Sequence, residues 1–142
     1  EIVKEYLNSS KMLAYSTGTD WSPFTKGYFK TEKKFQITMD CDSEIKKWLY
    51  NLGIPFDKYV FVESDNSGQA IMLTWKMVIK YWEGMFWDTD LTIFDGSLNW
   101  ALFYYHESQL FFGNDNVFDQ EAEFEKNLEQ NKLLNDIKNR IK

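Results

Sequence analysis

Apolar and polar positions alternate between Ala70 and Phe94. Ile71, Leu73, Trp75, Met77, Ile79 and Tyr81 take the odd positions, with Thr74, Lys76 and Lys80 between them. This is the period of a strand with one buried and one wetter face. Met85, Trp87, Thr89, Leu91 and Ile93 continue it. The pattern predicts strands over 69–81 and 85–94, joined by a three-residue loop, Trp82-Glu83-Gly84, with glycine at the left-handed position. That loop pairs Tyr81 with Met85, Ile79 with Trp87, Met77 with Thr89, Trp75 with Leu91 and Leu73 with Ile93. A one-residue slip would set apolar side chains against Asp88 and Asp90. Upstream, 58–63 is a strand by residue type, and a turn over 64–68 pairs Phe61 with Ile71.

The remaining chain supplies helices to cover this sheet. Ile2, Val3, Tyr6, Leu7, Leu13 and Ala14 predict a helix over 2–15. An irregular connection over 20–26 leads to short strands at Tyr28–Lys30 and Lys34–Thr38, within 28–37. The clearest helix runs over 43–52, with Asp42 as its N-cap, Ile45, Trp48, Leu49 and Leu52 on one face, and Gly53 and Pro55 ending it. Leu98 to His106 reads either as a helix (97–106), which its Ala and Leu favour, or as a strand buried on both faces. A short strand at 109–112 precedes a helix over 119–141. That helix is acidic at its start and basic at its end, as its dipole prefers, with Phe124, Leu128, Leu134, Ile137 and Ile141 as its apolar stripe. The expected fold is α+β, one domain over 1–142 with an antiparallel meander sheet packed by helices.

Composition narrows the class. The chain has 142 residues, 44% of them hydrophobic and 18% aromatic, which suffices for a real core. No apolar run approaches the ~18 residues of a membrane span, and no signal peptide or lipidation motif is evident. The chain begins at Glu1 rather than Met, so a leader or a few residues are expected before it. The lone Cys41 fits a reducing cytoplasm. Net charge is −6, unevenly spread: the stretch from Tyr81 to Glu125 holds 10 of the 22 acidic residues and no Lys or Arg. Such a block disfavours nucleic acid as a direct ligand and favours a basic partner.

Catalytic motifs are sparse. His106 is the only histidine, which excludes a metal site built on two imidazoles. His106-Glu107 could be an acid-base pair, although a histidine hydrogen-bonded at a helix end is the simpler reading. Cys41 lacks an evident base, and Asp88-x-Asp90 and Asp40-x-Asp42 lack the further ligands of a calcium loop. No phosphate loop, nucleophile elbow or Cys-x-x-Cys occurs. No cofactor or metal is expected.

Trp75, Trp87 and Trp48 fall on inward faces. The outward face of the predicted hairpin carries Trp82, Phe86 and Phe94 beside Asp88 and Asp90. Those aromatics lie under a terminal helix, or else they form a hot spot inside an acidic field. The candidate partner-binding residues are Phe86, Asp88, Asp90, Phe94, Asp95, Glu107, Asp115, Asp119, Glu121 and Glu123. With Trp48-Leu49-Tyr50-Asn51-Leu52-Gly53, then Leu73-Thr74-Trp75 and the acidic stretch after Gly84, residues 42–95 resemble the small immunity proteins of bacterial polymorphic-toxin and contact-dependent inhibition systems. The resemblance implies a cognate toxin, often a nuclease, in the same cell, and it transfers no binding residue. Two other readings stand beside it: a phage- or plasmid-borne inhibitor mimicking nucleic acid, and an enzyme using Glu63, Asp65, Asp88, Asp90 or His106. Monomer and edge-paired homodimer are both open.

Overall fold

The computed structural model describes Phe24 and residues 27–64, 70–117 and 119–141. The helix expected over 2–15, and most of the 64–68 turn, lie outside the described residues. Among the described residues, six strands form one antiparallel sheet: β1 (Phe29–Gln36), β2 (Tyr59–Ser64), β3 (Ala70–Thr74), β4 (Leu91–Phe94), β5 (Trp100–Tyr105) and β6 (Gln109–Asn116). Their spatial order is β1-β6-β5-β4-β2-β3. The helices among the described residues are α1 (Asp42–Tyr50), α2 (Trp75–Lys80), α3 (Trp82–Met85) and α4 (Gln120–Ile141). The fold is α+β, as expected, but the sheet is not a simple meander. β4 pairs with β2 and β5, and never with β3.

The predicted long hairpin is replaced by helices. Thr74 is extended, and its side chain accepts from the Met77 N–H, which caps α2. The Trp75 N–H turns away from the ladder to the Lys58 carbonyl at 2.8 Å. Trp75, Val78, Ile79 and Trp82 also stand at i, i+3, i+4 and i+7, so the same residues that alternate as a strand make a helical stripe. Burial decides between them: Trp75, Val78 and Trp82 are buried, whereas Met77 and Tyr81 are exposed. The second strand shortens to β4, and residues 86–90 lead into it as irregular chain. The β2–β3 pairing forms one residue away from the expected register, with Val62 opposite Ile71 and Phe61 opposite Met72.

The helix expected over 97–106 is instead the strand β5, preceded by a turn. Trp100, Leu102 and Tyr104 join Ile45, Leu49, Trp75, Val78, Trp82 and Phe86 in the core beneath α1 and α2. Ala101 belongs to a second cluster with Tyr28, Phe29 and Phe94, on which Phe24, Phe61 and Leu98 pack. A segment buried on both sides favours the extended chain, where aromatic residues pack best, over the modest helix preference of Ala and Leu. The two short strands expected near 28–37 are one strand, β1, and β6 runs through Gly113-Asn114 to Asn116 instead of stopping at Phe112.

α1 matches its expected face, with Ile45 and Leu49 buried. Its cap does not: Cys41 is the N-cap and Asp42 the first helical residue. The Asp42 carboxylate instead accepts from the Trp82 indole at 2.9 Å and from Lys46 at 3.0 Å. These bonds, the indole first, hold its carboxyl below the usual carboxylate range. A lowered folded-state value contributes stability above the unfolded value, and that contribution disappears as pH falls through the lowered one. Asp42→Asn should therefore flatten the acid limb of the stability–pH profile, read as urea midpoints. An acid limb unchanged in the variant would refute the linkage.

Candidate functional site

The β5–β6 connection, His106-Glu107-Ser108, is a three-residue hairpin loop closed by the Tyr105–Gln109 pair. Ser108 takes the left-handed conformation (φ 63°) that such loops require at their third position. Its carbonyl accepts from the Ile37 N–H at 2.8 Å and from the Gln36 side chain at 3.0 Å, which ties the loop to the end of β1. On the other side, the irregular 86–90 segment is pinned twice. The Tyr104 hydroxyl donates to the Trp87 carbonyl at 2.6 Å. Asp90 Oδ1 accepts from the His106 backbone N–H at 2.7 Å and contacts His106 Nδ1 at 2.8 Å. Burial, and then the neighbouring charges of Asp90 and Asp88, push the Tyr104 phenol up, against a lowering bond from Ser108. That hydroxyl stays a proton donor.

Between these pinned segments lies an open cleft of about 1020 Å³. Trp82, Phe86 and Tyr104, all buried, form its apolar floor, and the Phe86 and Tyr104 rings lie 5.4 Å apart. Its edges carry Met39, Glu83, Trp87, Asp88 and His106. Met39 is 92% and Trp87 75% exposed, unusual for such side chains. No Lys or Arg is among the described lining residues, while Glu83 and Asp88 are. Trp87 and Asp88 also line a second hollow of about 520 Å³ with Ile71, Met85, Thr89 and Leu91, so the pair stands as a ridge between two depressions.

The sequence-predicted residues divide into three groups. Phe86 and Asp88 line this cleft, Asp90 is bonded to His106 at its edge, and Glu107 sits in the turn beside His106. Phe94 and Asp95 are internal: Phe94 lies in the second core cluster, and Asp95 is buried and bonded to Ser97 and Trp100. Phe86 and Phe94 therefore are not surface aromatics, and the outward face predicted for them does not exist. Asp115, Asp119 and Glu121 lie apart from the cleft, where Asp115 is exposed near the end of β6 and Asp119 accepts from the first N–H groups of α4. The side chain of Glu123 lies outside the described residues. Trp87 and Met39 were not foreseen. Trp87 alternates with buried neighbours in the strand pattern, and only its placement between Gly84 and two aspartates hinted at a turn.

His106 pairs with Asp90 rather than Glu107, and it sits in a hairpin turn rather than at a helix end. Among the described residues, no three His, Cys, Asp or Glu side chains cluster to hold a metal ion. Cys41 is buried. Among those residues, no helix is long and apolar enough to cross a membrane. Comparison with protein-family models, curated proteins and solved structures gives no match.

Proposed function

We propose that this protein is an inhibitor of the immunity type, which captures a basic toxin domain at the Met39–Trp87 cleft. The observation that carries the reading is Trp87 itself. It is a largely exposed tryptophan on a ridge beside Asp88, over an apolar floor, in a cleft whose described lining includes Glu83 and Asp88 and no Lys or Arg. A rigid indole inside a negative field suits a protein hot spot: the carboxylates steer a basic partner, and the aromatic is desolvated on docking. The two anchors on residues 86–90 support the same reading, because a preordered loop loses little entropy on binding. A surface that mimics nucleic acid throughout is less well supported, since β1 presents exposed Lys30, Lys33 and Lys34.

The test is co-purification from the native host, followed by titration of the bound protein. Trp87→Ala should weaken binding by about 2 kcal/mol or more. Glu83→Lys with Asp88→Lys should slow association and remove most of its salt dependence. Glu121→Lys, away from the cleft, is the control. Unaltered affinity and salt dependence in both cleft variants would exclude this surface. A second reading, catalysis, draws on the 2.8 Å Asp90–His106 contact, since a carboxylate can orient an imidazole as a general base. Any activity found in the purified protein and retained by His106→Ala would remove it.

A further inference from the structure

The helix α4 is out of keeping with the rest of the molecule. Every described side chain from Glu121 to Ile141 is exposed, including Phe124, Leu128, Leu133, Leu134, Ile137 and Ile141. Helices in proteins draw most of their stability from packing an apolar face, so a 22-residue helix with an uncovered apolar stripe calls for a partner surface. Its charges say which. Glu121, Glu125 and Glu129 repeat at i, i+4 along the first half, where Lys126 is the one cation, and Lys132, Lys138 and Arg140 dominate the second, where Asp136 is the one acid. Like charges at that spacing weaken a lone helix. The helix dipole accounts only for charges in the terminal turns, and intrahelical pairs such as Glu129–Lys132 and Lys132–Asp136 stand at favourable spacing, but neither requires acid to gather in the first half and base in the second. A uniformly basic partner would suit the first half and repel the second.

We infer that α4 is a self-association element, and that its occupant is α4 of a second copy of this chain packed antiparallel. A two-fold pairing makes one patch complementary to itself. Set about a centre near residues 132 and 133, it brings Phe124 of one copy beside Ile141 of the other, Leu128 beside Ile137, and Glu125 beside Arg140. Each contact is made twice. The mainly acidic half of each helix then lies along the mainly basic half of its mate, with Glu129 opposite Asp136 as the one like-charged pair, and the apolar stripe is covered along its length. A parallel pair would instead align acid with acid and base with base.

The experiment is sedimentation equilibrium of the full chain over a wide dilution series at low and high salt. The expected result is reversible dimerisation, twice the chain mass at high concentration, weakened by salt. Leu128→Glu with Leu134→Glu, on an exposed face, should yield monomer with an unchanged body, checked by thermal unfolding. Two charge variants test whether charge steers the pairing. Glu121→Lys/Glu125→Lys/Glu129→Lys and Lys132→Glu/Lys138→Glu/Arg140→Glu should each lose the dimer alone and regain it when mixed. A chain that is monomeric throughout overturns the proposal, whether the stripe is then covered by another part of the same chain or by a different protein. Leu128→Cys and Ile137→Cys, each combined with Cys41→Ala so that it is the single cysteine, mixed and oxidised, should give the mixed disulfide. Preference for the two homodisulfides would overturn the antiparallel arrangement.

Discussion

Asp95→Ala is expected to destabilise the protein by about 3 kcal/mol or more, the combined loss of charge-assisted bonds at a buried site. The Asp95 carboxylate is buried immediately after β4, where one oxygen accepts from the Ser97 N–H at 2.9 Å and from the Ser97 hydroxyl. The other accepts from the Trp100 indole at 2.9 Å, with Lys58 Nζ at 3.8 Å. The Trp100 ring meets Trp75 edge to face, 5.9 Å away, and Trp75 is fully buried. One side chain thus closes the β4–β5 turn and aims a core tryptophan. Alanine would leave the indole N–H buried without its acceptor and would release the turn at the same time. Asp95→Asn keeps one good acceptor and should cost less, and Ser97→Ala removes a single bond worth about 1 kcal/mol. Urea unfolding checks the series. The midpoint should fall in the order Ser97→Ala, Asp95→Asn, Asp95→Ala, with an unchanged slope. An Asp95→Ala midpoint equal to that of Ser97→Ala would show that the Trp100 bond contributes nothing.

Gly113→Ala is expected to lose about 1–3 kcal/mol, the usual cost of overpacking, although alanine is the better strand residue. Gly113 lies in β6 between Glu32 of β1 and Ala101 of β5. A Cβ there would overlap the Phe29 ring and come within 2.8 Å of Phe24. Phe29 cannot simply swing aside, because it is buried and stacked on Phe24 with ring centres 5.3 Å apart. Glycine is required at this position by the ring above it, since its backbone dihedrals are open to any residue. Gly113→Val should be worse, because its branch meets the same ring. Phe29→Leu should partly rescue Gly113→Ala in a double-mutant cycle, and strict additivity would show that the two positions do not share the space.

Gly113 also marks how far the sequence could be read. Gly113-Asn114-Asp115 looks like a strand terminator, yet the chain stays extended because an aromatic cap replaces the missing side chain. Local signals that admit one outcome were legible: the α1 stripe with Gly53 and Pro55 behind it, the strand character of 109–112, and the amphipathic C-terminal helix. Signals that admit two were settled by tertiary packing. Trp75, Val78, Ile79 and Trp82 satisfy helical spacing as well as alternation, and only the partners on α1 and β5 select the helix. Leu98 to His106 has helix-forming residues but aromatic neighbours on both sides of the sheet. At the candidate site, the acidic block was visible as a charge asymmetry, and it pointed to Asp88 and Asp90. Trp87 could not be assigned to the surface while 85–93 read as a regular strand. The Asp90–His106 contact spans a strand pairing that no sequence pattern announces.

The sheet order has a consequence for the chain as it is synthesised. β1 leaves the ribosome before every other described strand, yet its partner, β6, is the last of them to emerge. The β5–β6 hairpin closes over three residues and can form at once, whereas the β1–β6 ladder waits for a long loop to close. For most of translation β1 is therefore an unpaired extended segment, the kind of species that seeds aggregation. Its sequence, Phe-Lys-Thr-Glu-Lys-Lys-Phe-Gln, answers that hazard with four charges in eight residues. Lysines within an obligatory edge strand keep it solvated and unattractive to its neighbours until its place at the sheet edge exists.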